Sequence, residues 1–187
     1  MNAAFIKSIE TDHNWSDLAL EQENLQGLVE IRDWLRSGET LTNDRGLSKK
    51  IKPGYRALFC GEAGTRKTLA AGLLGKDAGL DVYRIDLSML LSKYIGETEK
   101  QLARIFDEAE TKKSLLFFDE ADALFGKRTD VKDAHDRYAN QEISYLLQRI
   151  EDYPGVAIVA TNMKNNIDDA FIRRFQAVID FGMPKAE

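Results

Sequence analysis

Residues Gly61 to Thr68 read Gly61-Glu62-Ala63-Gly64-Thr65-Arg66-Lys67-Thr68 (GEAGTRKT), with Leu69 following, in a chain of 187 residues. Loops that cradle phosphates follow G-x-x-x-x-G-K-[ST] between a strand and a helix. Gly61, Lys67 and Thr68 fall on that pattern; Arg66 stands where its second glycine belongs. The flanks fit. Arg56 to Cys60 (RALFC) is an apolar run that reads as a strand, and Lys67 to Ala78 reads as a helix stopped by Gly79. In that setting, backbone N–H groups and the positive end of the helix favour a polyphosphate. Lys67 would reach its outer phosphates, and the Thr68 hydroxyl would hold Mg²⁺. Read alone, eight residues with one mismatch are equally a Gly-rich turn with a chance Lys-Thr pair.

Outward from the loop, short apolar runs alternate with helical patterns. Asp81 to Asp86 (DVYRID) reads as a second strand, and Glu97 to Lys112 as an amphipathic helix with Leu102, Ile105, Phe106 and Ala109 on one face. Ser114 to Phe118 (SLLFF) is a third strand, apolar throughout as a strand covered on both faces must be. Arg137 to Asp152 is a further helix carrying Ile143, Leu146, Leu147 and Ile150. Val156 to Ala160 and Ala177 to Phe181 complete five strands. The alternation predicts an α/β fold, a five-stranded parallel sheet between helices in three α/β/α layers. Residues 1–55 form a polar lead-in with one helix through Leu25, Leu28, Val29 and Leu35, stopped at Gly38; residues 56–187 form the core.

Ligands of such sheets bind at the carboxyl ends of the strands. Asp119-Glu120 follow the third strand directly. A carboxylate there can serve a magnesium shell, and the next can polarise a water. Asp-Glu after a strand is by itself an ordinary solvated turn; downstream of a phosphate loop the functional reading is preferred. Asn162, after the fourth strand, is either a turn cap or an amide that holds the water or the γ-phosphate. Arg173 and Arg174 precede the fifth strand. Their planar donors suit phosphate, and a surface ion pair with Asp168 or Asp169 is the simpler use.

Hydrophobic residues make up 43% and charged residues 30%, an ordinary globular balance, with net charge −5. That balance argues against a dedicated nucleic-acid or anionic-membrane surface. No apolar run is long enough to span a bilayer. The single cysteine, Cys60, reads as a small core residue, and its solitude points to a reducing, cytoplasmic setting. His13 and His135 lack the partners of a metal site.

Taken in order, GEAGTRKT, LLFFDEAD (Leu115 to Asp122), IVATN (Ile158 to Asn162) and DDAFIRRF (Asp168 to Phe175) resemble the AAA family of P-loop ATPases. The resemblance begins at Trp15-Ser16-Asp17-Leu18 and runs to Pro184. It implies ATP and Mg²⁺ as ligands, bound by residues 61–69, with Thr68 and Asp119 serving the metal. It further implies Glu120 as the catalytic base, Asn162 as the sensor, and Arg173 or Arg174 as a finger acting on ATP of a neighbouring subunit. The family assembles as rings, commonly hexamers, which act on protein substrates. Tyr94 and Ile95, in Lys93-Tyr94-Ile95-Gly96-Glu97, resemble the first pore loop, an exposed aromatic and aliphatic pair that would grip extended polypeptide. Packing under the next helix is the alternative. Phe125 to Arg137 is a charged loop placed like the second channel loop of the family, or simply a solvated one.

Two departures stand out. The usual family form is GPPGTGKT, so Glu62-Ala63 and Arg66 are substitutions. Arg66 is expected to lower nucleotide affinity by strain or by filling the cradle, whereas its positive charge beside an anionic ligand, or a pair with Glu62, works against that, and ATP binds if the loop keeps its shape. The sequence ends shortly after the fifth strand, where the family continues into a helical lid. Both departures keep a second reading open: a nucleotide-binding or nucleotide-dead scaffold with impaired hydrolysis.

Overall fold

A computed structural model of the protein describes residues 3–42, 54–125, 134–162 and 167–182. The strands are β1 (Ile6–Ser8), β2 (Tyr55–Cys60), β3 (Val82–Asp86), β4 (Leu115–Asp119), β5 (Val156–Thr161) and β6 (Ala177–Asp180). The helices are α1 (Gln22–Thr42), α2 (Lys67–Ala78), α3 (Leu87–Lys93), α4 (Thr98–Lys112), α5 (Ala134–Asp152) and α6 (Asp169–Ile172). They form one sheet in the order β1-β3-β4-β5-β2-β6. All five expected strands are present and parallel. The sheet is nevertheless mixed and six-stranded, because the lead-in adds β1 antiparallel to β3 at one edge.

Side-chain alternation along each strand splits the core into two layers. Leu58, Leu116, Phe118, Ala157 and Val159 face α4 and α5, where Leu102, Ile105, Phe106, Leu146 and Ile150 are buried. Ala57, Phe59, Leu115, Phe117, Ile158 and Ala160 face α1 and α2, where Leu28, Ile31, Leu73 and Leu74 are buried. Each fully buried Leu, Ile or Phe contributes about 1.5–3 kcal/mol, so the central strands hold the sheet's position with apolar residues on both faces. Phe106 stacks on Phe118 with ring centroids 5.6 Å apart, tying α4 to β4.

Helix α2 spans the predicted residues. Gly79 stops it in the left-handed conformation (φ 64°), its N–H reaching the carbonyls of Gly75 and Lys76. Helix α1 does not stop at Gly38; its backbone stays helical to Thr42. A glycine inside a helix costs only about 0.5–1 kcal/mol, too little by itself to end one. The lead-in is anchored: Phe5 and Leu18 are buried, and Trp15 Nε1 donates to Asp77 Oδ2 on α2 at 2.9 Å. No described helix is long and apolar enough to cross a membrane.

Candidate functional site

The loop after β2 is shaped by its first glycine. Gly61 has φ 155°, and a Cβ there would lie 2.5 Å from the Phe181 carbonyl oxygen. Its N–H donates to the Thr161 carbonyl at 3.1 Å, fastening the loop to β5. Arg66 takes the left-handed conformation (φ 66°, ψ 25°) at the N-cap of α2. A non-glycine residue pays roughly 1–2 kcal/mol for that conformation, and the loop keeps its turn despite it. Of the two arrangements open to Arg66, the structure has the one that leaves the cradle clear. The Arg66 guanidinium points to the lead-in and donates to the Asp17 carbonyl. Among the described residues it makes no ion pair with Glu62.

Lys67 is 7% exposed. Its Nζ lies 2.6 Å from the Gly61 carbonyl, 2.9 Å from that of Glu62, 3.4 Å from Thr65 Oγ1 and 3.2 Å from Asn162 Oδ1. Burial pushes its pKa down, and the Asp119 and Asp122 carboxylates pull it back up. Thr68 is partly buried one residue on. The first-turn amides of α2, at Lys67, Thr68 and Leu69, have no carbonyl a turn earlier in the helix to bond.

Asp119 ends β4. Its Oδ1 accepts the Glu120 N–H at 2.9 Å, and its Oδ2 accepts Arg84 Nε at 2.7 Å. Arg84 Nη2 is also 2.7 Å from Oδ2. Glu120 follows in a left-handed conformation (φ 57°). Burial first, and then the charges of Asp119, Asp122 and Asp86, raise its pKa. Asp122 Oδ1 accepts the Thr161 hydroxyl and the Asn162 N–H, the latter at 3.0 Å. Strand β5 lies between β2 and β4. Its tip therefore bridges the two halves: Asn162 touches Lys67 on one side and Asp122 on the other.

The structure thus brings together Gly61 to Leu69, Asp119, Glu120 and Asn162 at the carboxyl end of the sheet. It adds Arg84 and Asp122, which had no assigned role. Arg173 and Arg174 are elsewhere. They precede β6 and lie at the amino end of the sheet, where Arg56 Nε donates to the Arg174 carbonyl at 3.2 Å. Arg174 Nη1 pairs with Glu151 Oε1 at 2.8 Å, not with Asp168 or Asp169, while Arg173 is exposed. Asp168 instead caps α6, accepting the Ala170 N–H at 3.0 Å. Tyr94 is partly buried with its ring edge-on to Phe5 at 5.0 Å, whereas Ile95 stands 57% exposed. Cys60 is buried at the end of β2. His13 Nδ1 sits 3.3 Å from Asp17 Oδ2. Most of the charged loop from Phe125 to Arg137, and the side chain of His135, lie outside the described residues.

A glycine-shaped loop at the carboxyl end of a parallel sheet, opening a helix and facing the acidic tip of another strand, defines a P-loop nucleotide-binding protein. Within that class the chain belongs to the AAA family (ATPase family associated with various cellular activities), whose family model matches residues 57–183. It is 33% identical over 186 residues to the uncharacterized AAA family ATPase y4kL of Sinorhizobium fredii, covering 98% of this chain and 54% of that protein. It is 32% identical over 165 residues to the cell division cycle protein 48 homolog of Archaeoglobus fulgidus, covering 85% of this chain and 22% of that one. Its fold superposes on the crystal structure of the FIGL-1 AAA domain with a TM-score of 0.73 at 25% identity, covering 97% of this chain and 59% of that one. The chain thus spans about half the length of y4kL and less of the archaeal relative.

Proposed function

We propose that this chain binds ATP with Mg²⁺ and hydrolyses it, as the motor core of a ring-forming machine that remodels or threads protein. One observation carries the reading: Lys67, Asn162, Asp122, Glu120 and Asp119 converge on one end of the sheet, with Arg66 turned out of the loop. The donor set fits a nucleotide–magnesium pair. The loop offers first-turn amides and a buried lysine to phosphate. Thr68 and Asp119 offer one hydroxyl and one carboxylate, and magnesium sites are commonly built from one or two carboxylates completed by phosphate oxygens and water.

In this reading Lys67 holds the outer phosphates, and Thr68 with Asp119 holds Mg²⁺, which neutralises phosphate charge when bound. Glu120 accepts the proton of the attacking water, a role that suits a raised pKa. Asn162 orients that water, and Asp122 orients Asn162. Arg173 is the better candidate for the finger, because Arg174 is already paired with Glu151. Its place at the opposite end of the sheet suits action on a neighbouring subunit's nucleotide. Ile95 would touch substrate polypeptide, with Tyr94 supporting it from below.

A second reading, a nucleotide-binding scaffold without turnover, draws on a specific observation: Lys67 and Asp119 already have partners within the chain. A phosphate-release assay beside nucleotide-binding calorimetry separates the two. Turnover lost in Glu120→Gln supports the enzyme; binding with no turnover in the parent chain supports the scaffold.

A further inference from the structure

Arg84 belongs to the site, although it lies on a strand that carries no nucleotide motif. The register of β3 and β4 places Arg84 beside Phe117 and Asp86 beside Asp119. Arg84 and Asp119 are therefore diagonal neighbours, a separation that a long side chain spans. Alternation puts both on the face where Val82 and Phe117 pack with α2, the helix that Lys67 and Thr68 open. Two guanidinium nitrogens reach Asp119 Oδ2 at 2.7 Å each, while the Glu120 N–H takes Oδ1. The Arg84 and Asp119 side chains are 29% and 15% exposed, so solvent screens the pair only in part.

We propose that Arg84 is a positioning residue that competes with the divalent cation for Asp119 and so sets the metal affinity of the nucleotide site. The proposal rests on the nucleotide-binding reading above. Asp119 stands in a cluster with Asp86, Glu120 and Asp122, and the charges of Asp119, Asp122 and Asp86 all bear on Glu120. Arg84 is a counter-ion of that cluster and holds one of the two carboxylate oxygens of Asp119. A cation approaching Asp119 must displace the guanidinium or share the carboxylate with it. The fork of donors makes this hold stronger than a lysine's single ammonium contact.

The test uses the full chain and its variants Arg84→Gln and Arg84→Lys, each checked for folding by circular dichroism. Mn²⁺ binding is measured by electron paramagnetic resonance in the presence of a non-hydrolysable ATP analogue. Arg84→Gln should bind Mn²⁺ about tenfold more tightly than the parent, with Arg84→Lys between them. A merely structural role cannot produce tightening, since a disordered site binds metal less well. Equal or weaker Mn²⁺ binding in Arg84→Gln, with the analogue still bound, overturns this inference alone. Failure of the parent chain to bind the analogue overturns the functional reading and this inference with it. If Arg84→Gln does not fold, Arg84→Lys decides in the same way: tighter binding supports the proposal, and equal or weaker binding overturns it.

Discussion

Replacing Arg66 by glycine restores the residue that the family pattern places before the lysine, and two opposite outcomes are conceivable. If Arg66 obstructed the cradle, Arg66→Gly would bind nucleotide far more tightly. The structure predicts otherwise. The backbone at Arg66 already has the left-handed turn that glycine would adopt, and its guanidinium is engaged with the Asp17 carbonyl, outside the loop. For stability, relief of the left-handed strain returns roughly 1–2 kcal/mol. The freer unfolded chain of a glycine takes back about 0.4–1 kcal/mol, and loss of the hydrogen bond to Asp17 takes back part of the rest. The net is within about 1 kcal/mol of zero, a shift of no more than about 4 °C in melting temperature for a chain of this size. Nucleotide affinity should stay within about threefold, less than 1 kcal/mol. Isothermal titration calorimetry with an ATP analogue and Mg²⁺ checks the affinity, and a thermal melt checks the stability. Tightening by tenfold or more would refute the reasoning, because it would show that the arginine enters the cradle.

Lys67→Ala removes a charged donor from the loop; at about 1.5–3 kcal/mol for such bonds, nucleotide binding should weaken roughly 10- to 100-fold by calorimetry. Glu120→Gln should keep nucleotide affinity and lose about 10²–10⁴ in turnover, read by phosphate release. Glu120 also has a sign to check in pH. Its folded pKa is raised above 4.5, so the folded state holds that proton more tightly than the unfolded chain. Its favourable contribution is present below about 4.5 and is lost as pH rises through the raised value. Glu120→Gln should therefore melt higher than the parent chain near neutral pH and lose that advantage in acid, and the acid limb of turnover should lie above the ordinary glutamate range. Asp122→Ala releases the Thr161 hydroxyl and the Asn162 amide; stability should fall by about 1–3 kcal/mol, with turnover reduced more than nucleotide affinity in steady-state kinetics.

Much of the fold is legible in the order of apolar runs. Leu115 to Phe118 and Val156 to Ala160 are apolar at every position because helices cover both faces, and that pattern survives without any tertiary information. Other elements leave weaker traces. Strand β1 is three residues, Ile6-Lys7-Ser8, and it exists because β3 offers an edge, not because its own sequence alternates. Helix α3 starts where β3 stops: Asp86 is at once the last strand residue and the helix cap, accepting the Met89 N–H at 3.0 Å. A reading that gives each residue one role passes over such a helix. Gly38 has the place of a helix stop after the last periodic apolar residue, yet the backbone stays helical through it, because the cost of a glycine inside a helix is small.

The site divides along the same line. Lys67, Thr68, Asp119, Glu120 and Asn162 are readable because each sits in a short motif at the end of an apolar run. Arg84 and Asp122 are not, because their roles depend on strand order and register. Arg84 meets Asp119 only because β3 pairs with β4 with Asp86 opposite Asp119. Asp122 meets Asn162 only because β5 is inserted between β4 and β2. A shift of one residue in either pairing would turn these side chains to the other face of the sheet. The sequence does contain one trace of each. Arg84 is a cation within an otherwise uncharged strand interior, and Asp122 lies two residues past Glu120, the carboxylate proposed as the base. A charge on a strand that runs beside the acidic tip has to find a counter-charge within reach of its own side chain. On β4 the carboxylate within that reach is Asp119, the one proposed for the metal, and the pairing that orders the site would then also restrain that ligand.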